Sequence, residues 1–151
     1  MLERNSQQEL RLSRVFDAPR RLVFEAWTKA EHVSRWFAPK PLTIPECKVD
    51  FRVGGAFNLV MVMPNGTRFP FVATFREIVV PERIVFEGVI HDDNRAMTTV
   101  TFTEQGGKTR VDVHQTYSFE SDATRGAKQG WTMTLDQLAE HVASGADRRA
   151  P

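Results

Sequence analysis

The chain has little of what most kinds of protein chemistry require. Of its 151 residues only Cys47 is a cysteine, so no intramolecular disulfide can form, and a lone thiol suits a reducing compartment better than a secreted one. The segment from Met1 to Gln8 is polar and carries no apolar signal core. No stretch approaches the ~20 apolar residues of a membrane span. A cytoplasmic protein with no membrane partner is therefore expected. Asn65-Gly66-Thr67 matches the glycosylation sequon, but without a secretory signal it reads as turn chemistry.

Charge of one sign is also missing. Twenty Lys plus Arg stand against nineteen Asp plus Glu, a formal net charge of +1. Nucleic-acid binding leaves a basic patch or stripe, and no run of like charge exceeds a pair, so no nucleic-acid partner is expected. There is no Gly-x-Ser-x-Gly nucleophile turn and no glycine-rich phosphate loop. His32, His91, His114 and His141 are scattered, with none at metal-ligand spacing. Neither a metal nor a cofactor is expected.

What is present is ordinary soluble-domain material, 41% hydrophobic and 26% charged. A chain of this length buries roughly 70% of its unfolded surface and needs no staple. One domain over residues 7–145 is expected, with 1–6 and 146–151 as flexible termini. Glu9 to Phe16 alternates apolar and polar residues, the period of a half-buried strand. Asp17-Ala18-Pro19 then opens a short helix carrying Leu22, Val23, Ala26 and Trp27, and Thr28-x-x-Glu31 reads as a capping box for a second with Val33, Trp36 and Phe37.

Pro39 to Pro45 reads as loop. From Cys47 the chain meanders. Val49, Phe51 and Val53 alternate with polar residues, Gly54-Gly55 breaks the run as a tight turn or bulge, and Phe57, Leu59, Met61 and Met63 resume it. Turns at Pro64-Asn65-Gly66, Pro81-Glu82, Asp92-Asp93-Asn94 and Gln105-Gly106-Gly107 separate the following strands. Ser121 is a plausible N-cap for a last helix whose Ala127, Trp131, Leu135, Leu138 and Val142 make one apolar stripe, with Arg125, Lys128, Asp136 and Glu140 facing water. Gly126 and Gly130 each cost that helix roughly 1 kcal/mol, which suggests a close approach there. The order implies an α+β fold: a curved antiparallel sheet of about seven strands wrapped around a long C-terminal helix, with two short helices after strand one.

Taken in order, Asp17-Ala18-Pro19, Val23-Phe24-x-Ala26-Trp27-Thr28, Trp36-Phe37, Asp50-x-Arg52-x-Gly54-Gly55-x-Phe57, Pro81-Glu82-Arg83-Ile84-Val85-Phe86 and Gly130-Trp131 resemble the START/SRPBCC superfamily. More narrowly, they resemble its branch named after the C-terminal domain of the activator of heat-shock protein 90 ATPase. The resemblance runs from about Gln7 to Ser144. It implies a helix-grip fold with a hydrophobic cavity, used across the superfamily for lipids, hormones, polyketides and other aromatic compounds. In the chaperone activators this domain is joined to a second, N-terminal one. A chain of 151 residues leaves no room for it, so a chaperone partner is not expected.

Between sheet and helix, an apolar pocket is expected from Trp36, Phe57, Leu59, Met61, Phe86, Phe102, Val113, Trp131 and Leu135. On the last strand Val111, Val113, Gln115 and Tyr117 share a face, so Gln115 and the Tyr117 hydroxyl become polar groups in that pocket. They either bond within an internal network or orient a ligand. Asp50 and Arg52 read as an ion pair across neighbouring strands. The expected function is binding of a small hydrophobic or aromatic molecule, by a protein more binder than enzyme; a homodimer is compatible with it. Two alternatives stand beside it. A polyketide cyclase or aromatase-like enzyme would need a titratable side chain inside the pocket, with Glu87, His91 and His114 the nearest candidates. A chaperone-interacting module would show an exposed apolar patch and no cavity.

Overall fold

The computed structural model describes residues 8–91, 94–118 and 126–143. The N-cap expected at Ser121, the exposed position of Arg125, most of the turn at Asp92-Asp93 and the two termini lie outside those residues. Seven strands form one sheet: β1 (Gln8–Phe16), β2 (Thr43–Val49), β3 (Ala56–Val62), β4 (Arg68–Val79), β5 (Arg83–His91), β6 (Asn94–Gln105) and β7 (Lys108–Tyr117). Their order is β1-β7-β6-β5-β4-β3-β2, every neighbouring pair antiparallel. The meander from β2 to β7 explains itself by short turns, and β1 closes the far edge by pairing with β7. Two short helices, α1 (Arg20–Glu25) and α2 (Ala30–Trp36), follow β1, and α3 (Ala127–His141) comes last.

Alternation decides which face of the sheet is covered. Phe57 and Leu59 of β3, Ala73 and Phe75 of β4, Ile84 and Phe86 of β5, Val100 and Phe102 of β6 and Val111 and Val113 of β7 are all buried. They meet Leu135, Leu138 and Val142 of the final stripe, each at most 4% exposed. Leu135 and Leu138, as side chains fully withdrawn from water, each contribute roughly 1.5–3 kcal/mol of burial. The polar side of the helix carries Lys128, Asp136 and Glu140, all exposed. Asp136 forms an ion pair with Arg14 of β1 and so ties the helix to the sheet edge.

Four expectations are corrected. The strand expected to begin at Cys47 begins at Thr43, inside the supposed proline loop. Pro45 is accommodated because β2 is an edge strand whose register shifts between Thr43 and Glu46, where no ladder hydrogen bond is lost. Phe51 and Val53 lie beyond the end of β2; Phe51 turns back onto Phe24 and Phe75, with ring centroids 5.8 and 5.1 Å away. Arg52 pairs with Asp50 two residues away in that turn, at 3.0 Å, and not across strands. Neither short helix has a side-chain cap. The Thr28 hydroxyl donates back to the Glu25 carbonyl at 2.9 Å, closing α1, while Lys29 takes the cap position of α2.

The glycine break is a turn. Gly54 sits at φ +86°, in the left-handed region that glycine enters without penalty, and its N–H donates to the Phe75 carbonyl. A Cβ on Gly55 would lie 2.0 Å from the Asp50 carbonyl oxygen, which is backbone and cannot step aside. Gly55→Ala is therefore expected to lower stability by more than about 2 kcal/mol, read as a drop in the urea midpoint. A midpoint equal to that of the unaltered protein would refute the close approach.

Candidate functional site

The apolar stripe of α3 is buried only over its C-terminal half. Toward its N-terminus Ala127 and Trp131 are half-exposed, because the helix there borders a cleft of about 370 Å³. Three elements wall it. The concave face of the sheet supplies Met61, Phe71, Phe86 and Gln115, each an inward position of its strand. The α2–β2 connection supplies Phe37, Pro39 and Leu42. From α3 come Gly126, Ala127, Gly130, Trp131 and Thr134.

The connection is held by the helix, not by chance packing. Thr134 donates its hydroxyl to the Phe37 carbonyl at 3.2 Å. Gln137 Nε2 donates to the carbonyls of Trp36 and Ala38 at 3.1 and 2.7 Å, and Gln137 Oε1 accepts from the Lys40 amide at 2.9 Å. Four hydrogen bonds thus place the Phe37 ring edge-on to Trp131, centroids 5.8 Å apart, and 5.6 Å from Phe71. Trp131 is in turn stacked on the buried Trp27 at 6.2 Å. Aromatic pairs in such geometry resist rearrangement by about 0.5–1.5 kcal/mol each beyond their burial.

One polar network lies at the inner end. Gln115 Nε2 donates to the Thr98 hydroxyl at 2.7 Å, while its Oε1 accepts from the Tyr117 hydroxyl and, at 3.4 Å, from Trp131 Nε1. An indole N–H can only donate, so the atom facing Trp131 has to be the amide oxygen, and the orientation of Gln115 is settled by its neighbours. Burial pushes the Tyr117 hydroxyl well above the usual tyrosine range.

Of the side chains expected to form the pocket, Met61, Phe86, Gln115 and Trp131 line the cleft. Trp36, Phe57, Leu59, Phe102, Val113 and Leu135 do not reach it; each is at most 3% exposed and fills the core beneath. Trp36 donates its ring N–H to the Ala26 carbonyl at 3.0 Å. Tyr117 reaches the site only through Gln115. Pattern reading missed Phe37, Leu42 and Phe71. Phe71 shares the alternation of Ala73 and Phe75 and was available to it, whereas Phe37 and Leu42 are brought in by a loop. The close approach expected at Gly126 and Gly130 is absent among the described residues: beyond the helix's own backbone a Cβ on either would meet nothing within 4 Å, and Gly126 stands at the N-cap of α3, where glycine carries no interior-helix cost.

Titratable groups stand elsewhere. Glu87 pairs with Arg76 at 3.0 Å, and His114 meets Glu9 at 2.6 Å on an exposed face, a hydrogen bond that draws the Glu9 carboxyl below its ordinary range. The His91 side chain lies outside the described residues. Burial raises the Cys47 thiol, leaving it a poor nucleophile. Among the described residues no group of three or more His, Cys, Asp or Glu could hold a metal ion, and no helix is long and apolar enough to cross a membrane. Two of the scattered histidines do meet: His32 Nδ1 and His141 Nε2 are 3.0 Å apart where α2 packs on α3.

A seven-stranded sheet gripping a terminal helix, with an apolar cleft at one end, defines the helix-grip class that the START/SRPBCC superfamily shares. Within it, residues 17–143 match the family described as Activator of Hsp90 ATPase homolog 1-like protein, and the chain belongs to that family. Solved relatives include a protein from Chromobacterium violaceum, 25% identical over 89% of this chain and 96% of its own, with a TM-score of 0.82. Another from Nitrosomonas europaea is 27% identical over 90% and 94%, at 0.77. An AHSA1 protein from Silicibacter pomeroyi, 23% identical over 91% and 99% at 0.75, shares the fold. No curated protein matches the chain.

Two titrations check these assignments. Tyr117 is the sole tyrosine, so ultraviolet absorbance reads it alone. No tyrosinate is expected near pH 10 while the protein stays folded. The neutral hydroxyl's contribution to stability is complete below the ordinary tyrosine value and is lost as pH rises from there toward the raised one. Tyrosinate appearing at the ordinary value would contradict the buried network. At the other end of the scale, burial, His32 and Arg35 hold the His141 imidazole below its ordinary 6.5. Its neutral form stabilises the fold fully above that value, and the contribution is lost as pH falls through the lowered one. The thermal midpoint should fall between pH 7 and 5, and less so in His141→Gln; an identical decline in both would remove His141 as the cause.

Proposed function

We propose that this protein binds a small hydrophobic or aromatic molecule in the cleft between α3 and the concave face of the sheet. The observation that carries this reading is the pair Gly126 and Gly130. Gly130, inside α3, costs the helix about 1 kcal/mol relative to alanine, and for both Gly130 and the N-cap Gly126 no atom of the described residues beyond their chain neighbours and the helix's own backbone lies within 4 Å of where a Cβ would stand. Packing does not require either glycine. What their small size preserves is open volume beside Trp131, Phe37 and Phe71.

The rest of the wall supports the same reading. Aromatic rings with one methionine and a few polar groups make a usual small-molecule site, and about 370 Å³ suits a compound of two to four fused rings. None of the described side chains lining the cleft carries an acid or base, which favours binding over proton-transfer chemistry of the cyclase kind. The lone Cys47 favours a reducing, cytoplasmic setting.

Displacement of a neutral dye such as Nile red offers the test. The unaltered protein should bind the dye with a blue-shifted emission, and Gly130→Leu should weaken binding at least about tenfold, equivalent to ~1.4 kcal/mol. Gly130→Ala should raise stability by about 0.5–1 kcal/mol. Undiminished dye binding by Gly130→Leu, or no binding by the unaltered protein, would remove the cleft as the site.

A further inference from the structure

Resting on that reading, we infer that the cleft selects neutral aromatic ligands bearing a hydrogen-bond acceptor, a ketone or ester carbonyl, which receives the second Nε2–H of Gln115. The amide of Gln115 has two N–H donors and one carbonyl oxygen. The oxygen already accepts from Tyr117 and Trp131, so a donor on the ligand gains nothing there. One N–H is held by Thr98 at 2.7 Å. The other has no acceptor among the described residues, although the side chain is only 7% exposed and lines the cleft.

The remaining polar group of the wall adds no competing donor, because the Thr134 hydroxyl already donates to the Phe37 carbonyl. No charged side chain is among the described residues of the wall, so an anion or cation would lose its hydration without a partner. In the empty cleft water can satisfy the free N–H. A pure hydrocarbon expels that water and leaves the donor unpaired, whereas a carbonyl replaces it. The amide is also pre-oriented: three neighbours fix it, so little rotamer freedom remains to be lost on binding.

The comparison uses 2-acetylnaphthalene and 2-isopropenylnaphthalene, planar and nearly isosteric, which differ by a carbonyl oxygen in place of a methylene. Each is measured by displacement of Nile red. Gln115→Leu should weaken the ketone about tenfold and leave the hydrocarbon unchanged or tighter. Because that substitution strands the Tyr117 and Trp131 donors, a second measurement uses the unaltered protein. In a nitrogen–proton NMR spectrum the ketone should shift one of the two Gln115 side-chain N–H protons downfield, and the hydrocarbon should not. An equal loss for both compounds, or amide protons that stay in place with the ketone bound, would overturn the inference while leaving the cleft a binding site. If the dye binds but neither naphthalene displaces it, the inference also fails; if the dye itself does not bind, the parent reading falls with it.

Discussion

An antiparallel sheet of seven strands has one face too many for a chain of this length, and the docking of α3 on the concave side is the contact that resolves it. Leu135, Leu138 and Val142 provide an apolar ridge, and the sheet curls until Phe57, Phe86, Phe102 and Val113 surround it. The core is then contiguous from the α1 side, through Phe24 and Trp27, to the strands. Everything else follows from where that ridge stops. Beyond Leu135 toward the helix N-terminus the stripe thins to Trp131, two glycines and an alanine, and the sheet no longer has large side chains to meet. A gap between two well-packed surfaces is costly when nothing fills it, since lining atoms forgo their dispersion partners. Its persistence here is set by two α3 side chains: Thr134 and Gln137 make four hydrogen bonds to the backbone of the α2–β2 connection, which hold it against α3 and keep the walls apart.

Much of the fold was legible because alternation and helical spacing report one-sided burial directly. The turn chemistry was equally plain, as at Gly66, whose φ of +93° closes the β3–β4 hairpin. Pro45 misled because proline is excluded from central strands and not from an edge that shifts register. The sheet position of β2 is tertiary information, invisible in the local sequence. The capping box at Thr28 failed for a related reason: its hydroxyl had a nearer acceptor in the preceding turn, the Glu25 carbonyl.

The cleft was less legible than the core, and the difference is instructive. Size and hydrophobicity mark a residue as inward without saying how deep, so Trp36, Phe57 and Phe102 carried the same signal as Phe86 and Trp131. Phe37 and Leu42 enter the wall through a loop whose course depends on Gln137 and Thr134, nearly a hundred residues away in sequence. The His32–His141 contact joins residues on two helices in the same manner. Neither spacing nor period could announce it. Helix cost marks Gly130, but cost alone does not distinguish a close neighbour from open space, and among the described residues it is open space that lies beside it.

Gln115 shows how a buried amide can join sheet and helix and still keep one donor toward the cleft. A side chain with four hydrogen-bonding positions in an apolar wall has to satisfy them or bear about 1–3 kcal/mol for each one left unmet. Its neighbours are not interchangeable. Trp131 can only donate, which turns the oxygen toward the helix. Tyr117 then shares that oxygen, and its proton is held there because burial opposes ionisation. Thr98 takes one amide hydrogen from the adjacent strand β6. The network therefore locks sheet to helix at the inner end of the cleft while leaving a single donor without an acceptor among the described residues. A fully apolar residue at this position would leave two buried donors unpaired, and an acid would place a charge where no described wall residue could compensate it. Glutamine is the side chain that completes the lock and still presents one hydrogen to whatever occupies the space.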